Sequence, residues 1–158
     1  MKSIALKLLT VLALTIPAFA ADKHKQEAKP GPNGGRVLTA VEPHLEFFVT
    51  KDRKIQITAL TEDLKPAKLA GQVISVTAGD RSKPTKVEFK EEGGVLLSSN
   101  TLPEGNDFPV SVSIKPAANG KAIYEKFNLN LEKCPTCKLP EYACICAHAS
   151  DEKADKKK

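Results

Sequence analysis

The sequence predicts an all-β fold: an antiparallel immunoglobulin-like β-sandwich of seven or eight short strands, followed by a C-terminal cysteine knuckle. Three observations predict it. Apolar and polar residues alternate in short segments, turn-forming residues separate these segments at regular intervals, and no long amphipathic helix pattern is present. The sequence lacks the hallmarks of immunoglobulin domains, a core Trp and cysteines within the sheets. A small barrel is therefore the alternative fold.

The alternation defines the individual strands. It is clearest where the apolar residues Leu45, Phe47 and Val49, and then Ile55, Ile57 and Ala59, alternate with polar neighbours. The pattern recurs over residues 72–78, 85–90, 95–98, 108–114 and 122–131. Turn signals such as Gly93-Gly94 lie between the strands and supply the positive φ angles that hairpins need. Residues 60–70, which contain Pro66, are predicted to hold one helical turn at most.

The first twenty residues have the three parts of a secretory signal peptide. Lys2 and Lys7 supply positive charge, and residues 8–16 form a short apolar run. That run is far below the roughly 20 residues that span a bilayer. Ala18-Phe19-Ala20 then presents small residues at a cleavage site. We therefore expect cleavage after Ala20 and a periplasmic or secreted mature protein that does not span the membrane.

The rest of the chain has a small net charge, and its composition predicts separate segments. Without Lys2 and Lys7, 22 of the 24 basic residues remain against 19 acidic ones, and this excess of three is too small to indicate a nucleic-acid partner. The predicted organisation is a signal peptide at 1–20, a flexible lead-in at 21–33, a β-sandwich at 34–131, a four-cysteine knuckle at 132–147 and a disordered charged tail at 148–158.

All four cysteines lie within the predicted knuckle, as Cys134-x-x-Cys137, a six-residue loop and Cys144-x-Cys146. Because the cluster lies beyond the last predicted strand, we expect it to be an appendage without which the sandwich still folds. Four thiolates at this spacing can occupy the corners of a tetrahedron, an arrangement that suits zinc, and soft sulfur also binds Cu(I). Export favours an alternative in which the cysteines form two disulfides, with three pairings available, and the protein is a structural or interaction module. A third hypothesis, an oxidoreductase using Cys134 and Cys137, lacks the helix N-terminus that lowers a thiol pKa in such enzymes.

Histidine and acidic residues give little support for a second site. The alternation places His44 and Glu46 together on an outward face, where two ligands make a weak metal site and plain surface is the expectation. His24 and His148 are assigned no role. The sequence contains no nucleophile elbow, no His-Glu-x-x-His motif and no phosphate-binding glycine loop, so the protein is predicted not to be an enzyme.

Two short segments resemble known proteins. The cysteine segment resembles the zinc knuckle at the front of archaeal translation initiation factor one, which implies a ligation geometry and not a role in translation. Residues 31–38, Gly-Pro-Asn-Gly-Gly-Arg-Val-Leu, and the strand that begins at His44 resemble the N-terminal domain of periplasmic adaptor (membrane-fusion) subunits of heavy-metal efflux pumps. In physical terms, Gly34-Gly35 allows the chain to bend sharply before it enters the sheet.

The adaptor resemblance implies a periplasmic β-sandwich concerned with metal handling, with a partner in metal efflux or elsewhere in the envelope. The chain lacks a coiled-coil hairpin and a lipoyl-like domain, so by itself it cannot bridge a pump. The sequence leaves the metal, the partner and the oligomeric state open.

Overall fold

The structure is a computed structural model that describes residues 29–146, which fold into two antiparallel sheets packed face to face. The predicted signal peptide and charged tail lie outside the described residues. The ten strands are β1 (Arg36–Leu38), β2 (His44–Val49), β3 (Ile55–Leu60), β4 (Pro66–Ala67), β5 (Val73–Ala78), β6 (Thr85–Val87), β7 (Phe89–Glu92), β8 (Val95–Ser98), β9 (Asp107–Lys115) and β10 (Ile123–Asn130).

The first sheet has the order β1-β2-β3-β8-β7, with the short β4 also paired to β3. The second has the order β10-β9-β5-β6. All pairs are antiparallel, as the sequence predicts. The predicted strand at 85–90 is in fact two strands, because the chain crosses from the second sheet to the first at Glu88.

The core lies between the sheets and is built from the predicted apolar positions. The fully buried side chains on the inner faces include Leu45, Phe47, Ile55, Ile57, Val112, Ile114 and Leu129. Turn chemistry closes the hairpins: Gly93 and Gly94 both have positive φ between β7 and β8, and Arg53 has φ 59° between β2 and β3. Residues 60–70 contain the paired strand β4, which the sequence did not predict, and no helical turn.

The cysteine segment follows β10 and packs against the open side of the sandwich. Its 3₁₀ turn, Glu141–Ala143, contacts β1 at the edge of the first sheet and β10 at the edge of the second. Tyr142 and Ala143 are buried members of the same core as the strands. The expectation that the cysteines form an appendage to an independent core is therefore corrected: this segment closes the side of the sandwich between the two sheet edges.

Candidate metal centre

The first pair of cysteines is positioned by a tight hydrogen-bonded turn. The Lys138 N–H donates to the Cys134 carbonyl over 3.0 Å, and the Cys134 N–H donates to the Leu139 carbonyl over 2.8 Å. Lys138 has φ 64°, and this left-handed backbone reverses the chain directly after Cys137. The turn therefore presents the Cys134 and Cys137 side chains on the same side.

The second pair is positioned by the 3₁₀ turn that follows. The Cys144 N–H donates to the Glu141 carbonyl over 3.1 Å and ends this turn. Cys144 then takes an extended backbone, with φ −63° and ψ 131°, which leads Cys146 back towards the first pair. We call residues 134–137 the first limb and residues 144–146 the second limb of the knuckle.

The four sulfurs converge on one point. Cys134 Sγ lies 3.9 Å from Cys146 Sγ, and Cys137 Sγ lies 3.6 Å from Cys144 Sγ. All four sulfurs are within 4.8 Å of one another. A tetrahedron of sulfurs around zinc, with Zn–S of about 2.3 Å, has edges of about 3.8 Å. The predicted site residues Cys134, Cys137, Cys144 and Cys146 are thus brought together at the spacing that one tetrahedral ion requires, and none of them is in a disulfide.

The pKa values of the cluster reflect the crowding of four thiols. Burial, together with the neighbouring sulfurs, raises the pKa of Cys144 to about 12. Burial and the sulfur of Cys137 also raise the pKa of Cys146. For Cys137, burial acts upward, but the backbone N–H groups of Leu139 and Ile145 donate to its sulfur and bring the pKa below the usual thiol value. A bound cation would supply the positive charge that the other thiolates need.

Backbone N–H donors to sulfur are a further feature of the site. Besides the two donors to Cys137, the Cys146 N–H donates to the Cys144 sulfur. Such bonds hold the sulfurs of Cys137 and Cys144 in a fixed direction and offset part of the negative charge of a four-thiolate site. They are made by the knuckle's own backbone.

Tyr142 joins the knuckle to the sandwich. Its ring, 3% exposed, packs edge-on against Phe47 and stacks on Phe127, with ring centres 6.0 and 6.5 Å away. Its hydroxyl accepts a hydrogen bond from the Val49 N–H over 3.0 Å. Val49 lies beyond the stretch of β2 that pairs with β1, so the hydroxyl takes the place of a strand partner. Burial raises the pKa of Tyr142 to about 12, which keeps the phenol neutral.

The glycine-rich motif forms a second support. The buried carboxylate of Glu46 accepts hydrogen bonds from the Asn33 N–H, the Asn33 side-chain amide and the Gly35 N–H, at 2.7 to 2.9 Å. A Cβ on Gly31 would overlap that carboxylate, and a Cβ on Gly35 would overlap the β2 backbone. A Cβ on Gly34 would lie 3.3 Å from the Leu139 side chain of the knuckle. The motif, Glu46 and the knuckle thus form one packed unit.

One prediction about the surroundings of the site is wrong, and two residues that support the site were not predicted. His44 and Glu46 are not on an outward surface: they are 6% and 0% exposed, and the His44 ring contacts the Val41 carbonyl at 2.9 Å. Within the predicted lead-in, residues 31–33 lie in the loop that binds Glu46. Tyr142 and Glu46 were missed as supports of the site. The available signals were an aromatic residue inside the cysteine loop and a carboxylate between large apolar residues in β2.

The remaining predictions concern two histidines, a second metal site and membrane-spanning helices. His24 and His148 lie outside the described residues. Among residues 29–146, no second group of three or more His, Cys, Asp or Glu side chains is arranged to hold a metal. No helix in that part of the chain is long and apolar enough to cross a bilayer.

Comparisons with known proteins add little beyond the geometry. No protein-family model matches the chain, and no curated protein matches it. A crystal structure of a DUF4426 family protein from Pseudomonas aeruginosa PAO1 is similar over 59% of this chain and 93% of that chain, at 17% identity and a TM-score of 0.42. A likeness this distant assigns neither a family nor a function, and the resemblance to efflux adaptors stays a prediction.

Proposed function

We propose that the protein is an exported, non-enzymatic β-sandwich protein that binds one soft metal ion, zinc or Cu(I), through the thiolates of Cys134, Cys137, Cys144 and Cys146. The observation that supports this most strongly is the convergence of four sulfurs, with contacts of 3.6 and 3.9 Å, near the edge length of a zinc–thiolate tetrahedron. The site has no vacant ligand position in such a tetrahedron, which is typical of binding rather than catalytic zinc sites.

Export and partners belong to the same proposal. The signal-like residues 1–20 support a periplasmic or secreted location, and the motif at 31–38 supports a partner in metal efflux or the envelope. Recovery of a mature chain that begins at Ala21 from the periplasm or culture medium would support export. An intact chain that starts at Met1 and stays in the cytosol would contradict it.

The rival function is a structural or interaction module in which the four cysteines form two disulfides. One observation favours it: sulfur contacts of 3.9 and 3.6 Å join Cys134 to Cys146 and Cys137 to Cys144. An oxidising compartment would drive such pairs together. The two functions differ in what is bound to the sulfurs of the protein as it occurs in its own compartment.

Metal and thiol analysis of that protein separates the two. The metal content is measured by mass spectrometry of the intact protein under non-denaturing conditions, and thiols are counted after unfolding with a chelator. One bound ion and four reactive thiols per chain support the proposed function. No metal and no thiols support the rival, provided that reduction followed by zinc or Cu(I) also fails to load the site.

Two variants make the assignment specific to the cluster. Replacing all four cysteines by Ser should abolish metal binding, because hydroxyls do not replace thiolates as soft ligands. Thr136→Ala is the matched control: Thr136 lies exposed between Cys134 and Cys137 and leaves all four sulfurs in place. It should bind one ion as the unaltered protein does. Metal retained by the four-serine variant would refute the site.

A further inference from the structure

The two sulfur contacts both run between the limbs of the knuckle. Cys134 of the first limb meets Cys146 of the second, and Cys137 of the first meets Cys144 of the second. Of the three pairings open to four cysteines, the pairing within limbs requires a Cys144–Cys146 bridge that closes over a single residue and is strained. The contacts instead favour bridges Cys134–Cys146 and Cys137–Cys144.

The sulfurs also differ in access. Cys134 is fully buried, whereas Cys137, Cys144 and Cys146 are half-buried. A small-molecule oxidant in solvent therefore reaches the Cys137–Cys144 pair before it reaches Cys134. In the second pair it reaches Cys146 first, and the buried Cys134 sulfur is then in position to complete the bridge. Access thus predicts that the Cys134–Cys146 bridge begins at Cys146.

We propose that the cluster is a redox-gated metal site, in which small-molecule disulfides release the metal and leave bridges Cys137–Cys144 and Cys134–Cys146 in its place. This regulation rests on the proposed function. In each half, one protein thiolate attacks the disulfide RSSR and forms a mixed disulfide with loss of RS⁻. Its partner thiolate then attacks the protein sulfur of the mixed disulfide and expels a second RS⁻. For a divalent ion, four thiolates and two RSSR give two protein disulfides, four RS⁻ and the free ion.

The packing explains why the sandwich tolerates both states. Metal and disulfides each tie the first limb to the second across the 3₁₀ turn that carries Tyr142. Either link keeps the Tyr142 ring packed against both Phe47 and Phe127. Oxidation therefore changes the occupancy of the site while the knuckle stays docked, and reduction restores a site that can bind again.

The experiment follows the metal, the bridges and the docking together. The metal-loaded protein is treated with glutathione disulfide, released metal is measured with a chromogenic chelator, and disulfides are mapped by peptide mass spectrometry. We expect one ion released for every two disulfides, with the bridges Cys137–Cys144 and Cys134–Cys146. The Val49 amide resonance, which reports the hydrogen bond to Tyr142, should remain close to its metal-bound position. Another pairing, or loss of that resonance position, would overturn the proposal.

Two double variants, each of which retains two of the four cysteines, test the pairing directly. The pair Cys137→Ser with Cys144→Ser retains Cys134 and Cys146 and should form an intramolecular disulfide. The pair Cys134→Ser with Cys137→Ser retains Cys144 and Cys146 and should stay reduced or form dimers. The reverse result would refute the pairing. Failure to load metal under reducing conditions would instead refute the proposed function, while the pairing experiment would still give an answer.

Discussion

Tyr142 offers the sharpest test of the claim that the knuckle is part of the sandwich core. The substitutions are Tyr142→Ala, which removes the whole side chain, and Tyr142→Phe, which removes only the hydroxyl. The ring is 3% exposed and contacts two other aromatic rings, and the hydroxyl accepts the Val49 N–H. Both the packing and the hydrogen bond are therefore lost in the first variant, and the hydrogen bond alone in the second.

The magnitudes follow from these contacts. Truncating a buried aromatic side chain to Ala costs about 3–5 kcal/mol of unfolding free energy. Leaving the partly buried Val49 N–H without an acceptor costs about 1–2 kcal/mol. We expect Tyr142→Phe to lose about 1–2 kcal/mol and Tyr142→Ala to lose about 5 kcal/mol, since the two losses are not fully additive. A loss of that size is comparable with the whole stability of a small domain.

Urea unfolding at fixed metal occupancy measures these changes. The matched control is Tyr124→Ala, because Tyr124 is the other tyrosine of the chain and is 65% exposed. That control should change the unfolding free energy by less than about 0.5 kcal/mol. If Tyr142→Ala were as harmless as Tyr124→Ala, the knuckle would be an appendage after all, and the reasoning from its packing would be refuted.

Three other predictions concern the supports of the site. Glu46→Gln should lose about 1–3 kcal/mol in urea unfolding, because the amide nitrogen that replaces one carboxylate oxygen cannot accept from the Asn33 side-chain amide; the exposed Glu91→Gln should change little, and equal effects would contradict the buried network. Removing the metal with a chelator should lower the melting temperature of the unaltered chain under reducing conditions and leave the four-serine variant unaffected; no shift in either would show that metal binding is not linked to folding. In a Tyr124→Phe background, the phenol of Tyr142 should ionise near pH 12 by ultraviolet absorbance, and the stability it contributes should fall as pH rises from about 10 towards 12, since the unfolded phenol ionises first; ionisation near pH 10 in the folded protein would contradict its burial.

The strands could be predicted because each carries its own signal. The period-two pattern of β2 and β3 identifies the buried faces from the residues alone, and the structure confirms Leu45, Phe47, Ile55 and Ile57 at the core. The split at Glu88 could not be predicted in this way. The alternation continues through that residue, and only the pairing partners show that β6 and β7 belong to different sheets.

The four ligands of the site could be predicted from the sequence, but the residues that surround and support them could not. Local spacing is enough to bring the two cysteine pairs together, because the turns that orient them lie within the same segment. The burial of Glu46 depends on a loop eleven to thirteen residues earlier in the chain, folded over the outer face of β2. Alternation distinguishes the two faces of a strand, but it does not tell what covers the second face.

The closure of the sandwich by the knuckle also has a consequence for the order of folding. The Val49–Tyr142 hydrogen bond joins residues 93 apart in sequence, and the contact of the Arg36 side chain with the Tyr142 carbonyl joins residues 106 apart. Contacts of such long range carry a large loop-closure cost and tend to form late. The sheet edge formed by the first strands to be synthesised is therefore covered only when the last described residues pack against it. Any ion or bridge that shapes the knuckle acts at this final step, and so bears on the rate at which the finished fold is reached as well as on its stability.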